Sequence, residues 1–232
     1  MEERKKNLLI FFGELRTFEC VIPTLKKLDS IDIIVSTWSE SNYENNFFLV
    51  DDNLIKKILP NVKQYHIVNP KEIPNLNKKD NTWKLFWHWK NAINNVINSD
   101  DYENVIFHRC DLVSNWDSIL NLDIEEDTVY LHHAPNPHPH FAKHNPNAFW
   151  INDYYFFGKF DIIKKFVNLF DKDNYPEPHF PIWEVINENN IKIKNHVLKG
   201  FIVRNNTSEY LKELISRSEI DMKYGYISGP GC

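Results

Sequence analysis

Glycine is scarce in this chain, whose 232 residues contain only six, against 16 Phe, 10 Tyr and 7 Trp. So few glycines exclude collagen-like and flexible-linker sequences. The aromatic residues supply enough large apolar side chains for a folded core, which a disordered chain lacks. The length suits one sizeable core, and no composition break marks a linker, so we expect a single domain.

Cysteine is also rare, and Cys20, Cys110 and Cys232 show no Cys-x-x-Cys spacing. This pattern predicts a reducing compartment and no disulfide framework. No apolar run is long enough to cross a bilayer. The apolar stretch 8–12 behind the charged start is too short for a signal-peptide core. We therefore expect a cytoplasmic protein with no transmembrane segment, whose first strand is this stretch.

Excess positive charge is absent, because 27 Lys and Arg face 32 Asp and Glu, for a net charge of −5. This disfavours a broad surface for polyphosphate backbones. Neither the dinucleotide fingerprint Gly-x-Gly-x-x-Gly nor the P-loop pattern is present, which argues against NAD-dependent hydride transfer and P-loop phosphoryl transfer. The abundant Asn, Lys, Ile and Phe are typical of AT-rich coding sequence and predict a viral or microbial origin.

The order of apolar runs predicts an α/β fold. Short continuous runs alternate with amphipathic segments, which is typical of a mainly parallel sheet with helices on both faces. The predicted strands are 7–12, 31–36, 62–68, 104–108, 128–132, 154–157, 191–197 and 200–204. The predicted helices are 18–28, 51–59, 82–97, 159–170, 180–189 and 208–217. A long loop at 134–146 and a tail from 218 complete the chain.

Polar residues follow the first, second and fourth predicted strands. Ligands of parallel α/β sheets bind beyond the carboxyl ends of the strands, so these side chains are candidates for one nucleotide-diphosphate site. They are Gly13, Arg16, Thr17, Thr37, Trp38, Arg109 and Asp111. Singly, each has a structural alternative: Arg16 as a helix cap and Trp38 as a packing residue.

Four segments carry a family resemblance. They are Gly-x-x-Arg-Thr-Phe at 13–18, Ser-Thr-Trp at 36–38, Arg-x-Asp-Leu at 109–112, and Asn-Asp-Tyr leading to Gly158 at 152–158. In this order and spacing, over residues 7–204, the chain resembles nucleotide-sugar glycosyltransferases of the GT-A fold, of a bacterial and viral type. The resemblance implies a single GT-A-like, Rossmann-type domain over 1–232, with a nucleotide-binding half at 1–112, an acceptor half at 113–217 and a tail at 218–232.

The resemblance also implies roles for individual residues. Gly13, Arg16, Thr17, Thr37, Trp38 and Arg109 would bind the nucleotide-sugar donor. Asp111, with His196, would hold a divalent cation, Mn²⁺ or Mg²⁺. Arg109 replaces the first Asp of the family's Asp-x-Asp pair, so the metal dependence stays open and Arg109 itself is a candidate for the positive charge.

Two carboxylates are candidates for the general base that an inverting transferase needs. Asp153 lies among aromatic residues, and Glu184 lies near the start of a predicted helix, where it has the alternative role of a capping residue. The His-rich loop 134–146 is expected to cover a substrate, with an inert surface loop as the alternative, rather than to bind zinc. In the helix 82–97, Trp83, Phe86 and Trp87 are expected to face the core, leaving His88 and Trp89 free to face a cleft.

The leading hypothesis is a transferase of class EC 2.4, hexosyl or pentosyl, that moves a sugar from a nucleotide-diphosphate sugar to a hydroxyl acceptor, a carbohydrate rather than DNA. One alternative is a phage-type enzyme acting on modified DNA bases, with a local basic groove from Lys78, Lys79, Lys84 and Lys90 or from Lys159, Lys164 and Lys165. Others are a nucleotidyltransferase and a non-catalytic sugar-binding protein of the same fold. The sequence leaves the oligomeric state open.

Overall fold

The computed structural model describes residues 6–15, 18–28, 31–43, 46–120, 122–141, 143–175, 177–198 and 200–202. Arg16, Thr17, the predicted helix 208–217, the tail and Cys232 lie outside the described residues. Among the helices of the described segments, none is long and apolar enough to cross a membrane.

The described residues form eleven strands and five α-helices. The strands are β1 (Lys6–Phe12), β2 (Asp32–Trp38), β3 (Glu40–Tyr43), β4 (Asn46–Leu49), β5 (Val62–Val68), β6 (Tyr102–Arg109), β7 (Leu112–Ser114), β8 (Thr128–Pro137), β9 (Phe149–Lys159), β10 (Lys192–Asn195) and β11 (Gly200–Ile202). The helices are α1 (Asp52–Ile58), α2 (Asn81–Asn94), α3 (Asp117–Leu120), α4 (Phe160–Asn168) and α5 (His179–Glu188).

Seven strands form one sheet in the order β10-β8-β9-β6-β1-β2-β5. Strand β1 pairs in parallel with β2 and β6, β2 with β5, and β8 with β10. Among the described strands of this sheet, only β9 is antiparallel to both of its neighbours, β6 and β8. The pairs β3-β4 and β7-β11 make two small antiparallel ladders beside it. The predicted, mainly parallel sheet is therefore confirmed, and β9 makes it a mixed sheet.

Apolar side chains cover both faces of the sheet, because successive residues of a strand point to opposite faces. In β1, Leu8 and Ile10 belong to a core shared with α2, α4 and α5. Leu9 and Phe11 belong to a second core, which includes residues of α1 and α3. The predicted placement of helices on both faces is thus confirmed.

The segment predicted as a helix at 18–28 is instead two 3-10 helices, Phe18–Cys20 and Ile22–Lys27. Pro23 explains the difference, because it lacks the N–H of an α-helical hydrogen bond and disfavours the α conformation at Ile22. Thr24 reinforces the tighter turn by donating its hydroxyl to the carbonyl of Val21 at 2.7 Å.

The loop predicted at 134–146 is shorter than expected. Strand β8 continues to Pro137, which pairs with Phe149 of β9, and a 3-10 helix follows at Pro139–Phe141. The backbone N–H of His138 donates to the carbonyl of Ala148 at 2.8 Å, which closes this excursion. The proline-rich composition favoured a loop, but the pairing with β9 outweighs it.

The buried stripe of α2 differs from the predicted one. Phe86 and Trp89 are buried in the core, whereas Trp83 and Trp87 are only half-buried. Phe86, Trp89 and Ile93 follow the helical spacing of three and four residues, and this longer stripe decides which face packs on the sheet. The prediction that Trp89 faces a cleft was therefore wrong.

Gly158 of β9 has a packing role. A Cβ atom at this position would lie 2.8 Å from the backbone oxygen of Thr128 and 3.1 Å from Cδ1 of Ile163. We expect Gly158→Ala to lower the free energy of unfolding by about 1–3 kcal/mol, the usual cost of overpacking. Chemical denaturation measures this change. Lys165→Ala, at an exposed position of α4, is the control and should stay within about 0.5 kcal/mol of wild type. A Gly158→Ala protein as stable as this control would contradict the packing role.

Candidate functional site

The register of three parallel strands brings their polar ends to one edge of the sheet. Phe12, the last residue of β1, pairs with Ser36 of β2 on one side and with Arg109 of β6 on the other. The N–H of Gly13 donates to the carbonyl of Ser36 at 3.1 Å, and the N–H of Cys110 donates to that of Phe12 at 3.1 Å. Gly13 adopts a φ of +99°, which glycine accepts without strain.

A cleft of about 500 Å³ opens at this edge, and we call it the edge cleft. Strand ends, α2 and the amino-terminal part of β9 contribute its walls. The lining residues that matter for its chemistry are Gly13, Glu14, Trp38, Glu40, Lys84, His88, Arg109, Asp111 and Asp153. Asp153 reaches this edge because β9 is antiparallel: Tyr155 pairs with His108, so the residues before Tyr155 extend past the carboxyl end of β6.

Arg109 lies between two carboxylates of the cleft. Its Nε and one terminal nitrogen donate to the two oxygens of Asp111 at 2.9 and 2.7 Å. Its other terminal nitrogen is 3.7 Å from Oδ2 of Asp153. The guanidinium carbon also lies 4.9 Å from the centre of the Tyr154 ring, in a cation–π contact. The guanidinium is thus oriented by three side chains.

The charge of Arg109 is fixed. Burial opposes the charged form, but the attraction of Asp111 and Asp153 outweighs it and raises the pKa above its usual value. The side chain of Arg109 is 17% exposed, whereas that of Asp111 is 4% exposed. A guanidinium has five N–H donors, and two are used by Asp111, so three make no hydrogen bond to the described residues.

Aromatic side chains form another wall of the edge cleft. Trp38 stacks on Trp87 with ring centroids 5.7 Å apart and planes at 15°, and it meets the edge of His88 at 4.3 Å. Nδ1 of His88 is 2.9 Å from the hydroxyl of Ser36, while Nε2 is buried with no hydrogen-bond partner among the described residues. The orientation of Trp38 is therefore fixed by packing against α2.

The sequence-predicted donor residues fall into three groups. Gly13, Trp38 and Arg109 line the edge cleft, as do Asp111 and Asp153, which had been assigned other roles. Thr37 is fully buried beside this edge but does not line the cleft. Arg16 and Thr17 lie outside the described residues.

Glu184 lies in a second cavity of about 440 Å³, whose lining shares no residue with that of the edge cleft. Its carboxylate pairs with Lys172. The amino-terminal N–H groups of α5 are met by another acid, because Glu177 accepts from the N–H of His179 at 2.8 Å and of Phe180 at 2.7 Å. Glu184 is therefore not the capping residue of this helix. The structure does not bring the two proposed catalytic carboxylates together.

His196 does not line the edge cleft. Its Nε2 lies 3.3 Å from the carbonyl oxygen of Ser118, and its ring packs edge-on against Phe157. Both oxygens of Asp111 are engaged by Arg109. Within the described segments, no group of three or more His, Cys, Asp or Glu side chains is placed to hold a metal ion. The residues proposed for the cation thus do not fit a divalent ion bound by protein groups alone.

Two features of the cleft were not predicted from the sequence. One is the ion pair between Arg109 and Asp111, for which the spacing was a signal, since residues two apart in extended chain share a face. The other is the contact of Tyr154 with Arg109, which depends on the pairing of β9 with β6 and has no local signal. The expectation that His88 could face a cleft is confirmed.

No protein-family model and no curated protein sequence matches this chain. Similar solved structures include the glycosyltransferase GlyE of Streptococcus pneumoniae TIGR4, at 12% identity and a TM-score of 0.45, over 82% of this chain and 45% of that one. They also include the 4-diphosphocytidyl-2C-methyl-D-erythritol synthase of Anaerococcus prevotii, at 11% identity and a TM-score of 0.47, over 93% and 96%.

A third similar structure is a Drosophila β-1,4-galactosyltransferase 7 variant in complex with manganese, UDP-Gal and xylobiose, at 10% identity and a TM-score of 0.43, over 82% of this chain and 64% of that one. Two of these three neighbours are glycosyltransferases. All three TM-scores are below 0.5, so these similarities carry no conclusion about activity.

Burial of His88 gives a prediction for stability against pH. Burial lowers its pKa to about 3 in the folded chain, against about 6.5 when unfolded. Between these values the unfolded chain binds a proton that the folded chain does not, so stability falls as the pH falls from 6.5 toward 3. We expect His88→Asn to reduce the slope of unfolding free energy against pH by up to about 1.4 kcal/mol per pH unit.

Denaturation at a series of pH values measures this slope. Asn94→Gln, at an exposed and non-titrating position of the same helix, is the control and should keep the wild-type slope. A slope unchanged in His88→Asn would contradict a neutral, buried imidazole at this position.

Proposed function

We propose that this protein is a glycosyltransferase that moves a sugar from a nucleoside-diphosphate sugar to a hydroxyl group of a carbohydrate acceptor. The observation that carries the proposal is a charged guanidinium in a cleft at the carboxyl edge of a mainly parallel sheet, with three N–H donors that make no hydrogen bond to the described residues. Ligands of open α/β sheets bind at this edge. The sequence resemblance described above points to the same chemistry.

Arg109 has the properties that the leaving group requires. When the bond between the sugar and the phosphate oxygen breaks, negative charge develops on the diphosphate, and a pre-oriented cation stabilises that charge. The guanidinium of Arg109 is held by Asp111 and Tyr154, so little reorganisation is needed. Lys84 adds a second cationic side chain to the cleft. Trp38 is proposed to contact the base of the nucleotide.

Asp153 is our first candidate for the base that activates the acceptor hydroxyl. It lines the same cleft as Arg109, and its Oδ1 is buried without a hydrogen-bond partner among the described residues. Glu184 lines the second cavity, so we propose that it contacts the acceptor instead. Because the proposed metal ligands do not fit a protein-held cation, no step of this proposal passes through Mn²⁺ or Mg²⁺.

The alternative of a DNA-modifying enzyme finds less support in the lysines proposed for it. Lys79 pairs with Asp173 at 2.7 Å, and Lys159 pairs with Glu103 at 2.6 Å and with Glu126 at 3.6 Å. These pairs neutralise one member of each proposed basic set. The nucleotidyltransferase and the non-catalytic binding protein are separated from the transferase by the experiments below. A cytoplasmic location stays a prediction from the sequence.

The first experiment measures thermal stabilisation of the full chain by nucleoside diphosphates, nucleotide sugars and nucleoside triphosphates, each with Mg²⁺ or with a chelator. A ligand that binds the folded state raises the melting temperature. We expect one base to be preferred and its diphosphate sugar to bind. Preference for a triphosphate would favour the nucleotidyltransferase. The absence of any shift would contradict the donor site.

Removal of the proposed base should separate chemistry from donor binding. We expect Asp153→Asn to lower kcat by about 10²–10⁴-fold, the usual contribution of a general base, with donor affinity changed much less. Release of the nucleoside diphosphate with acceptor present measures kcat. Glu184→Gln should raise the KM for the acceptor instead. The exposed Asp161→Asn on α4 is the matched control. A kcat loss in Glu184→Gln alone would reverse the two roles.

A further inference from the structure

We propose that Arg109 is the built-in cation of the donor site and that Asp111 is its positioning residue, so that the nucleoside diphosphate binds without a divalent metal ion. This inference rests on the proposed function and deepens it. It assigns to Asp111 a role other than the metal ligand that the resemblance implies.

Asp111 is placed to orient the guanidinium of Arg109. Each of its oxygens accepts a hydrogen bond from Arg109, in a two-pronged contact that fixes the plane of the guanidinium. The carboxylate is nearly fully buried and forms an ion pair with Arg109 at 2.7 Å. A divalent ion bound to these oxygens would lie next to the guanidinium and be repelled by it.

Arg109 occupies the position expected for a cation of this site. Its guanidinium lies between Asp111 and Asp153, the place that a cation bridging two carboxylates would take. Its contact with Asp153 is an ion pair at 3.7 Å, which is too long for a hydrogen bond. The terminal nitrogens therefore keep donors for phosphate oxygens, and a guanidinium binds phosphate through such paired N–H groups.

The charge of the cleft sets a condition on this binding. Among the described residues, four carboxylates and two cations line it: Glu14, Glu40, Asp111 and Asp153 against Lys84 and Arg109. Because the described part of the lining is acidic on balance, a diphosphate is expected to bind by direct contact with these cations.

The test compares the nucleoside diphosphate preferred in the thermal-shift panel, in a chelator and in Mg²⁺, by calorimetry on the full chain. We expect the dissociation constants in the two conditions to agree within about threefold, which is about 0.65 kcal/mol. Binding that appears only with Mg²⁺ would overturn the inference and leave the proposed function intact. The absence of binding in both conditions would overturn both.

Variants separate a positioning residue from a metal ligand. If Asp111 positions Arg109, Asp111→Asn weakens diphosphate binding about tenfold in the chelator, which corresponds to about 1.4 kcal/mol, and Mg²⁺ does not restore it. If Asp111 is instead a metal ligand, Mg²⁺ increases the diphosphate affinity of the wild type. Asp111→Asn then has the wild-type affinity in the chelator but does not show this increase in Mg²⁺. Asp161→Asn is the control for the loss of one carboxylate at an exposed site.

A second variant covers the case in which Asp111→Asn fails to fold. Arg109→Lys keeps the charge but lacks the planar fork, so we expect it to weaken diphosphate binding in the chelator as well. Wild-type affinity in Arg109→Lys would overturn the role of the guanidinium. The comparison of wild type in chelator and in Mg²⁺ needs no variant and stands on its own.

Discussion

The parallel pairing of β1 with both β2 and β6 is the constraint on which the edge cleft depends. Phe12 is paired with Ser36 on one side and Arg109 on the other, so β1 and β6 end at the same level and β2 continues two residues further, to Trp38. A slip of one residue in either register would turn Arg109 or Trp38 to the opposite face. The apolar residues on both faces of β1 hold this register, because each face is buried in its own core.

The burial of Arg109 follows from this register and creates a second requirement. A charge near the end of a buried strand is unfavourable unless a partner compensates it. Asp111 supplies the compensation from the turn that leaves β6, and the pair is therefore local in sequence although it stands in the centre of the site. The same pair that compensates the charge of Arg109 also fixes the orientation of its guanidinium in the edge cleft.

The sequence predicted the main strands of the sheet and the position of the cleft. It predicted less well which face of α2 is buried and where β8 ends. Continuous apolar runs such as Leu8 to Phe12 are distinctive, and the polar residues that follow them mark the carboxyl edge. The buried stripe of α2 was harder, because Trp83, Phe86, Trp87 and Trp89 are all apolar and the choice among them depends on the helix's rotation against the sheet. The extension of β8 depends on pairing with β9, which has no local signal.

The antiparallel direction of β9 adds side chains of a fourth strand to the cleft formed at the ends of β1, β2 and β6. An antiparallel strand presents its amino-terminal residues at the edge where its neighbours present their carboxyl ends. Asp153 and Tyr154 therefore reach Arg109, while Gly158, five residues after Asp153, packs against β8 and α4. If β9 ran parallel to β6, Gly158 rather than Asp153 and Tyr154 would lie at this edge. Arg109 would then have Asp111 as its one carboxylate partner from these two strands. The topology of one strand thus decides that the guanidinium lies between two carboxylates.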